Sequence, residues 1–327
     1  MPRSGPARSG TIQIAQPIPD EEWAAIAPLV DEIEGLKRER NAVVIAHNYM
    51  TPDISHSVAD YVGDSLGMAQ FGAAADAEVI VLAGVHFMAE TAKILSSERT
   101  VLIPDLRAGC SLASSITAAD IADMRLRHPG VPVVTYVNTS AAVKAASDIC
   151  CTSANARAIV ESLGAPTVML LPDQYLAKNI AAETDVEIVI WPGACEVHER
   201  FTGDDIRQIR QDYGDVLVLA HPECPPEVTA EADVVGSTSF MGAYIAKHSP
   251  KRVALITECS MADNLVIDHP EVEYVRPCNL CPHMKRITLT NIRDALAYRQ
   301  HEVTVPEEII APARRALERM LAVGRKE

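Results

Sequence analysis

The sequence predicts an α/β protein of three similar parallel-sheet units, and three observations carry that prediction. Three apolar runs end in polar residues: NAVVIAHNY at 41–49, VPVVTYVNTS at 131–140 and DVLVLAHPE at 215–223. A continuous Val/Ile/Leu run with a polar tip is the pattern of a parallel strand covered by helices on both faces. Further strands at AEVIVLAG (77–84), PTVMLL (166–171) and ADVVGS (232–237) each lead into a helical pattern such as HFMAETAKIL, the alternation expected of parallel sheets. Finally, Cys110, Cys195 and Cys281 stand 85 and 86 residues apart, each after an apolar run that closes on a Pro or Gly turn: RTVLIPDLRAGC, VEIVIWPGAC and VEYVRPCNLC. The same local context at a long, regular period marks three repeated units, each delivering one thiolate to a shared point.

The elements follow in order. A flexible tail is expected over 1–19, since residues 1–17 are rich in Pro, Gly, Ser and Arg, and no apolar stretch follows that could act as a signal peptide or membrane span. The segment DEEWAAIAPLVDEIEGLKRER has an acidic start, apolar spacing and a basic end, which predicts an amphipathic helix over 20–40 with an N-cap. Three αβα domains then span 41–125, 126–210 and 211–300, and Pro306 starts a helix within a C-terminal segment 301–327. The two terminal helices read as packing elements outside the repeats. A length of 327 residues suits three small units around a common axis.

Composition narrows the setting. Eight cysteines in no disulfide framework, without a secretory segment, point to the reducing cytoplasm, where thiolate ligands are available. A net charge of −15 with no Lys/Arg cluster excludes a nucleic-acid face, and four Phe and two Trp are too few for a base-stacking platform. The charge of an anionic substrate must then be met by a metal, a few His and Lys residues, hydroxyls and helix N-termini.

Not every cysteine belongs to the shared point. Cys150 and Cys151 are adjacent and point apart, so they read as core, and Cys224 and Cys259 lack the strand-end context. Cys278 forms a CxxC with Cys281, but the second CxxC of a four-cysteine zinc site is missing, and no CxxxCxxC is present. Three thiolates with one ligand short suit a 4Fe–4S cluster whose fourth iron binds substrate as a Lewis acid. A lone zinc as in nucleobase deaminases would need an H-x-E and P-C-x-x-C pairing that is absent.

The runs IAHNY (45–49), DYVGDSL (60–66), LAGVHFMAETAKIL (82–95), LIPDLRAGCSLA (102–113), TYVNTSAAVKA (135–145), HPEC (221–224), GSTSFM (236–241) and CPHMK (281–285) resemble the quinolinate synthase (NadA-type) family over about residues 20–310. The resemblance implies three αβα domains with pseudo-threefold symmetry around an oxygen-sensitive 4Fe–4S cluster. It implies a transferase of NAD biosynthesis that condenses iminoaspartate with dihydroxyacetone phosphate to quinolinate, phosphate and water, the iminoaspartate being supplied by an L-aspartate oxidase or dehydrogenase. It places the cluster ligands at Cys110, Cys195 and Cys281, and the substrate residues at His47, Tyr49, Ser65, Tyr136, Asn138, Ser153, His221, Glu223, Ser237 and Thr238, with Lys247 matching a lysine linked to closure of the site. Some relatives carry CxxCxxCP before the last ligand, associated with a disulfide switch; here PCNLCP lacks one cysteine, and Cys278 matches an accessory position.

The residue types agree with that assignment. Glu223 and His221 at one strand tip suit proton shuttling, and Tyr49 and Tyr136 can donate to or accept from carbonyl oxygens. Ser65, Ser153 and Thr238 stand 88 and 85 residues apart at helix starts, a possible anion cradle that follows the cysteine period. His86, His198 and His283 lie near the same motifs and receive no role. An aconitase-like hydro-lyase and a non-catalytic iron–sulfur sensor are the alternatives, although no helix-turn-helix pattern accompanies the second.

Overall fold

The computed structural model describes residues 18–324, so the tail expected over 1–19 lies outside the described residues except for Ile18 and Pro19, as do the final residues of the 301–327 segment. Strands β1 (Ala42–His47), β2 (Tyr61–Gly63), β3 (Val79–Ala83) and β4 (Thr100–Leu102) form one sheet in the order β2-β1-β3-β4. The pattern recurs with β5 (Val133–Tyr136), β6 (Ile149–Cys151), β7 (Thr167–Leu171) and β8 (Glu187–Ile190), ordered β6-β5-β7-β8. It recurs again with β9 (Leu217–Ala220), β10 (Val234–Val235), β11 (Arg252–Ile256) and β12 (Glu273–Val275), ordered β10-β9-β11-β12. Every pairing is parallel. The protein is an α/β fold of three similar αβα sheets.

The repetition extends to single hydrogen bonds. In each sheet the first strand's amide donates to the aspartate immediately before the neighbouring edge strand: Val44 N to Asp60 (2.7 Å), Val133 N to Asp148 (2.8 Å) and Val218 N to Asp233 (2.7 Å). Seven residues after each of the three cysteines a threonine opens a helix with a capping box, Thr117 with Asp120, Thr202 with Asp205 and Thr288 with Asn291. A reciprocal pair of this kind satisfies two helix N–H groups that would otherwise lack partners. The cysteine loops are thereby anchored on both sides, by an edge strand before and a capped helix after.

The inner strands supply the core. Val44, Ile45, Val81, Val133, Val134, Val218 and Leu219 are fully buried, and each such side chain contributes about 1.5–3 kcal/mol relative to an exposed one. Two expectations shift. The strand expected at 232–237 is the two-residue edge strand β10, the counterpart of β2 and β6, while the third sheet's counterpart of β3 and β7 is β11. Edge strands of two or three residues are too short to show a period. The helix Asp20–Glu39 begins after Pro19 without a side-chain cap. Its basic end is instead fixed by Lys37, whose Nζ lies 2.9 Å from both Asp60 Oδ1 and the Val58 carbonyl. The C-terminal helix Glu307–Val323 packs on the helix Ala141–Ala146 and on β6, closing the middle sheet from a distant part of the chain.

Candidate active site

The inner strands β1, β5 and β9 all run toward one point, and the residues at their carboxyl ends line a single cavity: His47, Tyr49, Tyr136, Asn138, His221 and Glu223. Two ends share a geometry that fixes a tautomer. The Tyr49 amide donates to His47 Nδ1 (3.2 Å) and the Glu223 amide to His221 Nδ1 (3.3 Å). A ring nitrogen that accepts leaves the proton on Nε2, so both neutral rings keep an N–H donor for other partners. Burial pushes the pKa of His47 down to about 4 and that of His221 to about 3, keeping both rings neutral.

Glu223 is the centre of the polar network. Tyr136 donates its hydroxyl proton to Oε1 in a short hydrogen bond, Asn138 Nδ2 lies 3.4 Å from the same oxygen, and His198 Nδ1 lies 2.9 Å from Oε2. Burial alone would raise the Glu223 pKa. His221 and His198, with the hydrogen bonds from His198 and Tyr136, outweigh it and hold the carboxyl below the usual range. Beyond His198 the chain continues: Nε2 is 2.9 Å from Thr257 Oγ1, which is 2.6 Å from the Tyr49 hydroxyl. The His198 ring also stacks on His221 with centroids 4.5 Å apart. Burial pushes both tyrosine hydroxyls well above their ordinary pKa, and the charge of Glu223 adds to this, so both stay protonated.

Cys110, Cys195 and Cys281 line the same cavity, and none is in a disulfide. They follow the edge strands β4, β8 and β12, and each opens a 3₁₀ turn, Ala113–Ser115, His198–Arg200 and Met284–Arg286. Each sulfur accepts two backbone N–H bonds from the residues two and three places on: Leu112 and Ala113, Val197 and His198, His283 and Met284. Burial pushes the Cys110 thiol up to about 12 and raises Cys195 and Cys281 as well. Paired amides aimed at a sulfur favour the thiolate once a metal replaces the proton. Gly193 lets the second loop close: a Cβ there would fall 2.5 Å from Ser115 Oγ and 2.6 Å from the Pro172 carbonyl.

This donor set fits an iron–sulfur cluster better than one ion. Three thiolates sharing a zinc at about 2.3 Å each would lie within about 4 Å of one another. Among the described residues the group whose donor atoms all fall within 4.8 Å is instead Cys195, His198 and Glu223. Both nitrogens of that histidine are engaged by Glu223 and Thr257, so that group reads as part of the hydrogen-bond network. The wider set of three all-sulfur donors suits a larger, soft, multi-iron group.

The hydroxyl residues divide. Ser65, the first residue of the helix Ser65–Ala74, lines the cavity, as do Ser153 and Thr238. Ser153 hydrogen-bonds Tyr136, and Thr238 Oγ1 accepts from Asn48 Nδ2 at 2.8 Å. Ser237 is not among the lining residues; its hydroxyl caps the helix Thr238–His248 by accepting from the Phe240 amide. Lys247 is exposed in the last turn of that helix and does not line the cavity. Among the described residues, no helix is long and apolar enough to cross a membrane.

Several members of the site escape a reading of the sequence. His198, given no role there, is the hub that links Glu223 to Thr257. His283 meets Glu196 at 3.0 Å beside the cysteines, whereas His86 heads the helix His86–Leu95 away from the lining. Glu258 is buried and holds the last cysteine loop, accepting from the Cys281 amide (3.3 Å) and from Lys285 Nζ (2.9 Å), which also donates to the Tyr49 carbonyl (2.8 Å). Cys259, expected to lack a strand-end context, follows the end of β11 and forms a disulfide with Cys278, so the expectation of no disulfide also changes. The cause is topological: β11 and β12 are neighbours, and the bridge Glu258–Asn279 continues their pairing past the strand ends.

Comparison with known proteins points to one family. The family model described as Quinolinate synthetase A protein matches residues 31–322. The chain is 66% identical over 306 residues to "Quinolinate synthase 2" of Mesorhizobium japonicum, covering 94% of each protein. It is 63% identical over 311 residues to "Quinolinate synthase" of Agrobacterium fabrum, covering 95% of this chain and 90% of that one. Against the Caulobacter vibrioides "Quinolinate synthase" it is 58% identical over 304 residues, covering 92% and 83%. With three sheets meeting at one thiol-lined cavity and likeness along nearly its whole length, the chain belongs to the quinolinate synthetase A family.

Proposed function

We propose that this protein is a quinolinate synthase, a transferase that condenses iminoaspartate with dihydroxyacetone phosphate to give quinolinate, phosphate and water in NAD biosynthesis. The observation that carries the proposal is the convergence of three free thiols, each with two backbone N–H donors, on the cavity that holds the Glu223 network. Cys110, Cys195 and Cys281 would hold a 4Fe–4S cluster. When bound, the cluster supplies a Lewis acid that polarises a substrate hydroxyl or carbonyl.

The chain's own residues supply orientation and proton movement. The Nε2–H groups of His47 and His221 and the hydroxyls of Ser65 and Thr238 are the donors for carboxylate and phosphate oxygens, with Asn138 beside them and Ser153 holding the Tyr136 hydroxyl. Tyr136 lines the cavity and already gives its proton to Glu223, so its oxygen serves as an acceptor. It can take a proton from substrate as its own passes to the carboxylate. Tyr49, tied through Thr257 and His198 to the same carboxylate, does likewise from the first sheet. A cytoplasmic setting, with iminoaspartate delivered by an L-aspartate oxidase or dehydrogenase, completes the reading, because the imine hydrolyses in water and thiolates need a reducing environment.

The test is anaerobic reconstitution with iron and sulfide, followed by assay with freshly generated iminoaspartate and dihydroxyacetone phosphate, with quinolinate measured directly. A protein loaded with four irons that makes quinolinate supports the proposal. Loaded protein that makes none, but hydrates or dehydrates hydroxy acids, replaces it with the aconitase-like alternative.

A further inference from the structure

Among the described residues no Lys or Arg side chain lines the cavity, whereas Asp64, Glu196, Glu223 and the three cysteines do. An anionic substrate would therefore meet a wall with an excess of negative groups and few full positive charges. Two cations lie just behind that wall: Lys285, already paired with Glu258 and donating to the Tyr49 carbonyl, and Lys144. Lys144 is fully buried, at 0% exposure, and its Nζ sits 5.5 Å from the centroid of the Phe87 ring. Phe87 lines the cavity and Lys144 does not, so the ammonium packs against a residue of the wall without forming part of it.

The hydrogen bonding points the same way. Nζ donates to the Thr139 carbonyl, and Thr139 Oγ1 donates to the Tyr136 carbonyl at 2.9 Å. The ammonium therefore braces the turn that carries Tyr136 and Asn138. Burial lowers the Lys144 pKa, and Glu90, whose Oε2 accepts from the Ala141 amide, is the acidic side chain that counters this and partly offsets the charge. Burying an ammonium against one carbonyl and one ring is costly, and an apolar side chain of the same length would fill the space at lower cost. In a region of low dielectric the field of such a charge reaches a neighbouring cavity with little screening.

We propose that Lys144 is the buried cation that gives the cavity its affinity for carboxylate and phosphate groups, acting through the Phe87 wall and the Tyr136–Thr139 turn. The inference rests on the functional reading only in taking the substrate to be anionic. It is tested by direct binding to the anaerobically reconstituted protein, with calorimetry for dihydroxyacetone phosphate and maleate and ligand-observed NMR for uncharged dihydroxyacetone.

Lys144→Met should weaken both anions roughly tenfold, the order expected for losing one charge that acts across an intermediate dielectric, and leave dihydroxyacetone unchanged. Glu90→Gln, which keeps an acceptor for Ala141 but removes the offsetting charge, should tighten both anions a few-fold. That opposite sign keeps the test intact if Lys144→Met does not fold. Equal loss for charged and uncharged ligands in Lys144→Met, or unchanged anion affinity in both variants, overturns the proposal. Binding of maleate without any binding of the triose phosphate would count against the quinolinate synthase reading, with Lys144 then judged on maleate alone.

Discussion

His198 Nδ1 lies 2.9 Å from Glu223 Oε2, and this contact joins a residue of a cysteine loop to one at the tip of an inner strand. It completes an unbroken path from Tyr49 through Thr257, His198 and Glu223 to Tyr136, drawing on all three sheets. A buried ionised carboxylate accepts only, so Tyr136 and His198 Nδ1 must donate to it. In the neutral ring His198 Nε2 then accepts from Thr257, and Thr257 from Tyr49. Every proton along the path points toward Glu223.

Glu223→Gln keeps the shape and removes the terminal acceptor of this path. We expect kcat to fall by about 10²–10⁴ with KM for dihydroxyacetone phosphate changed little, the signature of a lost proton-transfer group. Steady-state kinetics on protein of matched iron content makes the measurement. Near-normal turnover would shift the role of base to Tyr136 or His221.

Thr257→Val separates the two tyrosines without touching either. Tyr49 loses the partner at 2.6 Å and keeps only His198 Nε2 at 3.4 Å. Turnover should drop roughly 10–100-fold, at a stability cost of about 1 kcal/mol for a weakened buried hydrogen bond. Thr257→Ser should restore most of the rate. A valine variant as fast as the serine variant would show that the path is not used.

Much of this site is legible in the sequence because the repeat is. The polar tips of the inner strands, the period of Cys110, Cys195 and Cys281, and the matching offsets of Ser65, Ser153 and Thr238 all depend on spacing along one chain. What is not legible depends on pairing between units. His198 looks like a bystander three residues from a cysteine until Glu223 and Thr257 arrive from the third sheet. Lys144 sits in a short helix whose sequence gives no sign that the ammonium is enclosed. Nothing in ADVVGS distinguishes the edge strand β10 from the counterpart of β3 and β7, because two residues carry no period, and without β11 in that place Cys259 has no visible neighbour in Cys278.

The cysteines divide into two classes with different expected losses. Cys110→Ser, Cys195→Ser and Cys281→Ser should each fail to keep a four-iron cluster on anaerobic reconstitution, read from iron and sulfide content and the visible spectrum, because the donors come from three separate loops. Cys278→Ser should retain the iron. Under oxidising conditions it should instead lose about 2–4 kcal/mol of stability in denaturant unfolding, since the bridge to Cys259 closes a loop with a sequence separation of 19. Loss of the cluster in Cys278→Ser with retention in Cys281→Ser would reassign the third ligand.

Acid should unfold the iron-free protein through its two cavity histidines. Folded pKa values of about 4 for His47 and about 3 for His221 lie below the unfolded value near 6.5. The unfolded chain therefore binds more protons than the folded one throughout that interval, and stability falls as pH falls from about 6.5. Each histidine contributes a slope of up to about 1.4 kcal/mol per pH unit, or about 2 kcal/mol between pH 7 and pH 5. Glu223, also depressed, adds loss of the same sign only below the ordinary carboxylate range near 4.3, whereas burial raises Asp173 and acts with the opposite sign, so the histidine share is read from the difference between each variant and the parent protein. Urea unfolding at pH 7, 6 and 5 should show the fall, and His47→Gln and His221→Gln should each flatten it by about one proton. An unchanged slope in both variants would mean that the two rings take up protons in the folded cavity as readily as in water, contrary to their burial.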